Sequence, residues 1–176
     1  MASDLIETFE EKARELAAGV CRVRCDAAQI RQTIHEMTRD AASVAVGAGE
    51  FLPDGIVNEI RSIPGALTNP TGEQLARAEV GICGAFAGVA SAGSVCIALG
   101  PPLVNLSSLL MPLHIVLLDA RRIVARPRNL FDPDCFGGEG LRRNLVFVTG
   151  PSATADMGPL VRGVHGPHRL QIVLIG

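Results

Sequence analysis

The feature that most constrains this fold is a set of five short apolar runs in the second half of the chain. They span residues 80–83, 94–99, 114–119, 144–149 and 170–175, and each run is continuous rather than alternating. This pattern is typical of strands that are covered on both faces, as in a parallel sheet between two layers. The runs therefore predict five strands of one central sheet.

The first half of the chain predicts the helices that cover this sheet. Apolar residues recur at helical spacing from a capping-box start at Asp4 and Glu7 as far as Gly19. A second helix is expected after Asp26, with Ile30 and Ile34 on its buried face.

The remaining segments are shorter. Strands are predicted at 20–25 and 43–47, and a third helix lies between Pro53 and Pro64. Residues 66–74 are predicted to be a loop, and short helices are predicted at 107–111 and 153–161. Together these elements predict a three-layer α/β sandwich with a mostly parallel central sheet.

Length and composition limit the class of protein. A chain of 176 residues, 48% hydrophobic and 19% charged, is expected to form one domain over 1–176 with a real core. A net charge of −2 gives no global basic field for nucleic acid or anionic lipid. The apolar surplus also indicates a surface shared with a partner subunit.

The sequence contains no segment that predicts a membrane span or an export signal. The most apolar run, 109–120, is shorter than the roughly 20 residues needed to cross a bilayer, and it includes Pro112 and His114. The start of the chain is acidic and amphipathic, without an apolar signal core. We therefore expect a soluble, cytoplasmic protein.

Cysteine and lysine usage narrows the chemistry. The five cysteines form no CxxC pair, so no metal site and no iron-sulfur cluster is expected in this chain. Lys12 is the only lysine, which excludes the lysine of a P-loop and, in practice, a Schiff-base lysine.

Three stretches together resemble a known family. They are VGICGAFAGVASAGSVCIAL, then NLSSLLMPLHIVLLDARRIV, then RNLVFVTGPSATADM with VRGVHGPHRLQIVLI, within residues 80–176. The combination closely resembles the LUD domain of the lactate-utilisation protein C (LutC, YkgG-like) family. The resemblance implies the fold of the NagB/RpiA/CoA-transferase group. It also implies an accessory role in bacterial oxidation of L-lactate to pyruvate, with partner proteins that carry the iron-sulfur clusters.

Two positions depart from the family pattern. The family usually has an Ala-Asp pair and then a Glu-Thr-Gly turn, but Phe86 stands in place of the Asp and Ser91 in place of the Glu. A glutamate is the nucleophile in CoA transferases of the related fold. We therefore do not expect independent transferase activity from this chain.

The stretch TGPSATAD follows a predicted strand and precedes a predicted helix, a setting whose free backbone amides suit a phosphate or carboxylate. The alternative is an ordinary capped helix start. The candidate anion-binding residues are Thr149, Gly150, Ser152, Ala153, Thr154, Gly163 and Gly166.

Three residues are candidates for acid/base catalysis. His165 lies between two glycines that would let its imidazole approach a ligand, His114 begins a predicted strand, and Asp156 is the acid of the signature stretch. A structural histidine bonded to backbone carbonyls is the alternative. A metal site of His114, His165 and His168 is conceivable but lacks an acidic ligand at helical spacing.

A basic segment at 121–128, with Arg142 and Arg143, has no tyrosine or tryptophan beside it. It predicts a solvated arginine face, or contacts to an acidic partner or a phosphate-bearing ligand, rather than nucleic-acid binding. Two further hypotheses remain open besides the accessory role. One is a free-standing enzyme or sensor that binds a nucleotide, CoA or a sugar phosphate, and the other is a structural remnant without a ligand.

Overall fold

The computed structural model describes residues 2–47, 50–53, 55–67, 70–100, 110–154, 159 and 161–176. Its α-helices are α1 (Ala2–Glu15), α2 (Ala27–Thr38), α3 (Ile56–Arg61) and α4 (Gly72–Arg77). Its strands are β1 (Gly19–Val23), β2 (Val44–Val46), β3 (Ala66–Leu67), β4 (Val80–Gly84), β5 (Ala87–Val89), β6 (Ser94–Leu99), β7 (Leu113–Asp119), β8 (Ile123–Val124), β9 (Asn144–Val148), β10 (Ala153–Thr154), β11 (Val161–Arg162) and β12 (Arg169–Ile175). Short 3-10 helices span Ala90–Ala92, Ala120–Arg122, Pro127–Phe131 and Cys135–Arg142.

A six-stranded sheet lies at the centre, in the order β1-β12-β7-β4-β2-β3, and all its pairings are parallel. The apolar runs behind β4, β7 and β12 were predicted correctly, and β7 is buried along its whole length. Such strands are apolar throughout because both of their faces are covered. The α/β class with a parallel central sheet is confirmed.

Different layers cover the two faces of this sheet. On one face, Ile30 and Ile34 of α2 and Ile56 and Ile60 of α3 pack against alternate residues of the central strands. On the other face, α1 packs together with a second sheet, through residues that include Phe9 and Ala13. The molecule thus has three layers, one of which combines a helix with a sheet.

The second sheet corrects the prediction that five strands share the central one. Strands β6 and β9 belong to a four-stranded sheet in the order β8-β5-β6-β9, where β6 pairs antiparallel with both neighbours. Strand β6 is apolar throughout because Val95 and Ile97 face the central sheet while Cys96 and Ala98 pack under Leu130. Two-sided burial was predicted correctly for β6 but not for β9, which is exposed or partly buried at every residue. Burial of β6 does not identify the sheet to which it belongs.

Several predicted element boundaries were wrong. Helix α1 begins at Ala2. It ends at Glu15, because Ala17 has a left-handed φ of 64° and the amide of Ala18 donates to the carbonyl of Ala13. Gly19 therefore begins β1 instead of ending the helix.

The segment predicted to be a loop at 66–74 contains β3 and the start of α4. Thr71 and Gln74 form a capping box there, with N–H···O distances of 3.3 and 2.9 Å between their side-chain oxygens and backbone amides. The helix predicted at 107–111 lies mostly outside the described residues.

A buried acid joins α1 to β1. Glu10 is only 7% exposed, and its carboxylate accepts hydrogen bonds from Arg14, at 3.2 Å, and from Nε of Arg22. Burial by itself would raise the pKa of Glu10, but the hydrogen bonds and charges of Arg22 and Arg14 outweigh it and lower that pKa.

We expect Glu10→Gln to lower the free energy of unfolding by about 1–2 kcal/mol at pH 7. Because the folded pKa of Glu10 is depressed, its contribution is present above the unfolded pKa and is lost as the pH falls through the folded one. The difference between wild type and variant should therefore vanish in acid, as measured by urea unfolding at several pH values. The matched control is Glu11→Gln at the exposed neighbouring position. An equal effect of the two substitutions would contradict this account.

Candidate functional site

A cleft lies at the carboxyl edge of the central sheet, where β2, β4 and β7 end. Ligands of open parallel sheets bind at this edge, because the loops that follow the strands converge there. The cleft has a volume of about 420 Å³, and we call it the carboxyl-edge cleft. It is lined by Glu50, Phe51, Leu52, Pro53, Asp119, Arg121, Arg122 and Phe136.

Asp119, the last residue of β7, anchors one side of the cleft. Its buried carboxylate accepts hydrogen bonds from Nε of Arg121 at 3.0 Å, from Nη2 at 2.6 Å and from the backbone amide of Arg121 at 2.9 Å. Burial favours a higher pKa for Asp119, but the hydrogen bonds and charge of Arg121, with the charge of Arg122, lower it overall. Asp119 is therefore an ionised, fixed carboxylate at neutral pH.

Arg122 forms the floor of the cleft inside an aromatic cage. Its guanidinium carbon lies 5.0 Å from the ring centroids of Phe51 and Phe86 and 4.1 Å from that of Phe136. Its Nε donates to the carbonyl oxygen of Phe86 at 2.6 Å, and Nη2 is 3.4 Å from Glu139. Rings around a guanidinium attract it through their quadrupoles and reduce its hydration. The cage thus fixes Arg122 and joins three separate segments of the chain.

A third arginine, Arg143, lies outside the cleft lining and pairs with Glu50 of the lining. Nη1 of Arg143 donates to Glu50 at 3.0 Å, Nη2 donates to the other carboxylate oxygen, and the guanidinium lies 4.9 Å from the ring centroid of Phe51. This two-point pairing is the strongest geometry available to arginine and a carboxylate. It holds the loop at 50–53 against the segment that precedes β9.

Phe136 reaches the cage only through an unusual backbone conformation. Its φ of 49° and ψ of 36° are left-handed, and Gly137 and Gly138 continue in the same region. A non-glycine residue there costs about 1–2 kcal/mol, which must be offset elsewhere. Two contacts of the Phe136 ring offset this cost. The ring lies under the guanidinium of Arg122, and it meets Phe86 edge-on with 5.7 Å between the ring centroids.

The two positions that depart from the family pattern differ in their surroundings. Phe86 follows β4 directly, is 0% exposed and packs beneath Arg122. Ser91 is exposed, and its backbone amide donates to the carbonyl of Ala125 at 3.0 Å. A buried ring therefore lies beneath Arg122 at the first of these positions, and an exposed side chain lies at the second.

The described residues of the signature stretch, 148–154, 159 and 161–167, lie outside the lining of the carboxyl-edge cleft. Strands β10 and β11 pair as an antiparallel hairpin, so the helix predicted at 153–161 is wrong at both described ends. Gly150 has a φ of 66°, and a Cβ there would lie 2.2 Å from the carbonyl oxygen of Leu16. This glycine is needed for its close approach to the end of α1.

Two of the amides proposed to hold an anion, those of Ser152 and Gly163, donate to protein carbonyls. The amide of Ser152 donates to the carbonyl of Pro167, and the amide of Gly163 donates to the carbonyl of Ser152, each at 2.9 Å. The hydroxyl of Thr149 lies 2.7 Å from that of Ser94. Ala153 and Thr154 belong to the hairpin, and Gly166 lies in the turn before Pro167. Anion binding at these residues stays a prediction. The helix whose dipole first suggested it is replaced by strands at both of its described ends.

The two described acid/base candidates, His114 and His165, lie in different surroundings. His114 is 0% exposed, with Nε2 at 3.2 Å from the sulfur of Cys83, and burial lowers its pKa to about 3. It is a neutral core histidine. His165 is exposed on the loop after β11, and Asp156 lies outside the described residues.

Within the described residues, no three His, Cys, Asp or Glu side chains come close enough together to hold a metal ion. In the same part of the chain, no helix has the length and apolar character needed to cross a membrane.

The residues of the carboxyl-edge cleft were only partly predicted from the sequence. Arg121, Arg122 and Arg143 belong to the predicted basic cluster, and each pairs with a protein carboxylate. Arg121 is also exposed, as the predicted solvated arginine face requires, whereas Arg122 and Arg143 are partly buried. Glu50, Phe51 and Phe136 were missed. A usable signal was present in DARR, since polar residues directly after a fully buried strand mark the carboxyl edge of a sheet.

Comparison with known proteins places the chain in a family. Its sequence matches the LUD domain family over residues 6–175, so the similarity extends well before the signature at 80–176. It is 31% identical over 98 residues to an uncharacterized protein of Neisseria meningitidis serogroup B, and the match spans 55% of this chain but only 42% of that relative.

A crystal structure of a DUF162 family protein from Deinococcus radiodurans has the same fold, with a TM-score of 0.66 and 21% identity. The alignment covers 100% of this chain and 99% of the other. With the parallel sheet and the matched residues taken together, this chain belongs to the LUD domain family.

Proposed function

We propose that this protein is a LutC-like accessory subunit in the oxidation of L-lactate to pyruvate, and that it acts with iron-sulfur partner proteins. The association of the LUD domain family with lactate utilisation supports the pathway. The iron-sulfur clusters would belong to the partners, and the electrons removed from lactate would pass through them.

One observation supports the accessory role: the buried ring of Phe86 lies beneath Arg122, at the position where the resemblance to the family leads us to expect an acid. The carboxylates that do line the cleft, Asp119 and Glu50, are both held in ion pairs with arginine. The lone pairs of such carboxylates accept hydrogen bonds from guanidinium groups, so they are less available for nucleophilic attack. The described cleft is therefore suited to binding and assembly.

The alternative, a free-standing enzyme or sensor that binds a nucleotide, CoA or a sugar phosphate, has less support. It depended on a strand-to-helix turn at Gly150, and the chain continues there into β10 of a hairpin. It stays a prediction that no feature of the described cleft favours.

The proposal is tested by affinity purification from the native cell, with a small tag on this chain and expression at the physiological level. We expect iron-sulfur proteins to co-purify from cells grown on L-lactate, identified by mass spectrometry and by iron and sulfide content. A tag on the recovered partner should return this chain, and cells without this chain should grow poorly on L-lactate but normally on glucose. Repeated recovery of this chain alone, together with normal growth on L-lactate, would refute the accessory role.

A further inference from the structure

The carboxyl-edge cleft combines an apolar lining with a cationic one. Phe51, Leu52, Pro53 and Phe136 contribute the apolar lining, and Arg121 and Arg122 contribute the cationic lining, with Arg122 stacked on the rings of Phe51 and Phe136. A volume of about 420 Å³ is within the range of small-molecule sites, which are roughly 300–1,000 Å³. A ligand that has both an apolar part and an anionic end matches these two linings.

Arg121 presents the group that such an anion would meet. A guanidinium has two edges on which a carboxylate can bind through two hydrogen bonds. Asp119 occupies the edge formed by Nε and Nη2. Nη1 donates no hydrogen bond to any residue in the described part of the chain, and the side chain is 79% exposed. The outer edge, formed by Nη1 and Nη2, is thus held in a fixed direction by Asp119.

The charges around the cleft favour one negative charge over several. The lining contains two carboxylates, Glu50 and Asp119, and two guanidinium groups, Arg121 and Arg122. Their formal charges cancel, so a polyphosphate would be repelled by both carboxylates without a cationic excess to offset it. A single carboxylate meets the outer edge of Arg121 beside a cage of rings that lowers the local polarity.

We propose that this cleft binds a small monocarboxylate, with the carboxylate on the outer edge of Arg121 and the remainder of the ligand against Phe51 and Phe136. This inference goes beyond the accessory role and does not depend on it, because binding is a property of the isolated chain. If the isolated chain binds the monocarboxylate but no partners are recovered from the cell, the site stands and the accessory role is refuted. If partners are recovered but no monocarboxylate binds, the accessory role stands and the site is refuted.

The test is titration of the isolated 176-residue chain with L-lactate and with pyruvate, by calorimetry and by NMR of the backbone amides. AMP, CoA and inorganic phosphate serve as comparison ligands. We expect a monocarboxylate to saturate one site and to shift the amides of Phe51, Arg121 and Phe136. The substitution Arg121→Gln should weaken binding about 10- to 100-fold, since charge-assisted hydrogen bonds are lost.

The matched control is Arg128→Gln, an exposed arginine outside the cleft lining, which should leave the affinity unchanged. Melting temperatures of both variants check that they fold, and the wild-type amide shifts locate the site without any variant. The proposal is overturned if neither monocarboxylate binds, if Arg121→Gln binds as tightly as wild type, or if AMP, CoA or phosphate displaces the monocarboxylate.

Discussion

Replacing His114 by leucine is expected to remove most of the acid sensitivity of this fold between about pH 6.5 and pH 4.5. Burial lowers the pKa of His114 from 6.5 to about 3, so the unfolded chain takes up a proton near pH 6.5 and the folded chain does not. The free energy of unfolding of the wild type should then fall by about 1.4 kcal/mol for each pH unit below 6.5. The full effect, complete below about pH 3, is about 5 kcal/mol, a large part of a typical domain's stability.

The measurement is urea unfolding of wild type and His114→Leu from pH 8 to pH 4. The slope of stability against pH is the readout, so a constant change from the lost contact with Cys83 does not affect it. The lowered pKa values of Glu10 and Asp119 add acid sensitivity only at lower pH, and the variant retains both carboxylates. His35→Leu, at an exposed histidine, is the matched control. Equal slopes for wild type and His114→Leu would show that His114 is hydrated or charged in the folded protein.

The second large effect is expected for Gly93→Ala. Gly93 has a φ of 56°, and a Cβ there would lie 2.3 Å from the backbone nitrogen of Ala13 and 2.5 Å from the carbonyl carbon of Lys12. These are main-chain atoms of α1, which cannot move away because Phe9 and Ala13 are fully buried beside them. We expect a loss of about 3 kcal/mol or more, from strain and from displacement of the helix.

Gly55→Ala is the matched control, because Gly55 also has a positive φ, of 85°, but a Cβ there meets nothing within 4 Å. Its cost should be about 1 kcal/mol, from the backbone conformation alone. Urea unfolding with comparison of the slopes distinguishes lower stability from a changed unfolded state. A similar cost for the two substitutions would show that α1 does not pack against the turn at 91–93 as described.

Gly93 and Ser91 belong to the same turn but have different roles. The approach of α1 leaves no space for a side chain at Gly93. Ser91 is exposed to solvent. Packing therefore constrains Gly93 but not the side chain of Ser91.

The errors in the predicted elements have a common cause. The strand at 94–99 was found because its residues are buried on both faces, but burial carries no information about which strands pair. The helix predicted at 153–161 was based on a capping pattern, yet the described ends of this segment pair with each other as β10 and β11. Local preference is weak over such short segments, so pairing decided their structure.

The cleft shows the same division. The run 114–119 followed by two arginines indicated that charged residues lie at the carboxyl edge of a sheet. The cage around Arg122 was not predictable in this way, because Phe51, Phe86 and Phe136 come from segments that are far apart in the chain. The lining was thus determined by chain crossings that no local pattern records.

The sequence by itself determined the α/β class, the buried strands β4, β7 and β12, the amphipathic faces of α1 and α2, and the family. Each of these depends on the order of apolar and polar residues along a short segment, or on a direct match of residues. Only the tertiary structure decided the split into two sheets, the hairpin at the signature stretch, and the pairing of Arg121 with Asp119 and of Arg143 with Glu50. Contacts between segments that are far apart in the chain form the two sheets, the hairpin and the Arg143–Glu50 pair. Arg121 is close to Asp119 in sequence, but the two residues become part of a cleft only because β7 ends beside the neighbouring strands of the sheet.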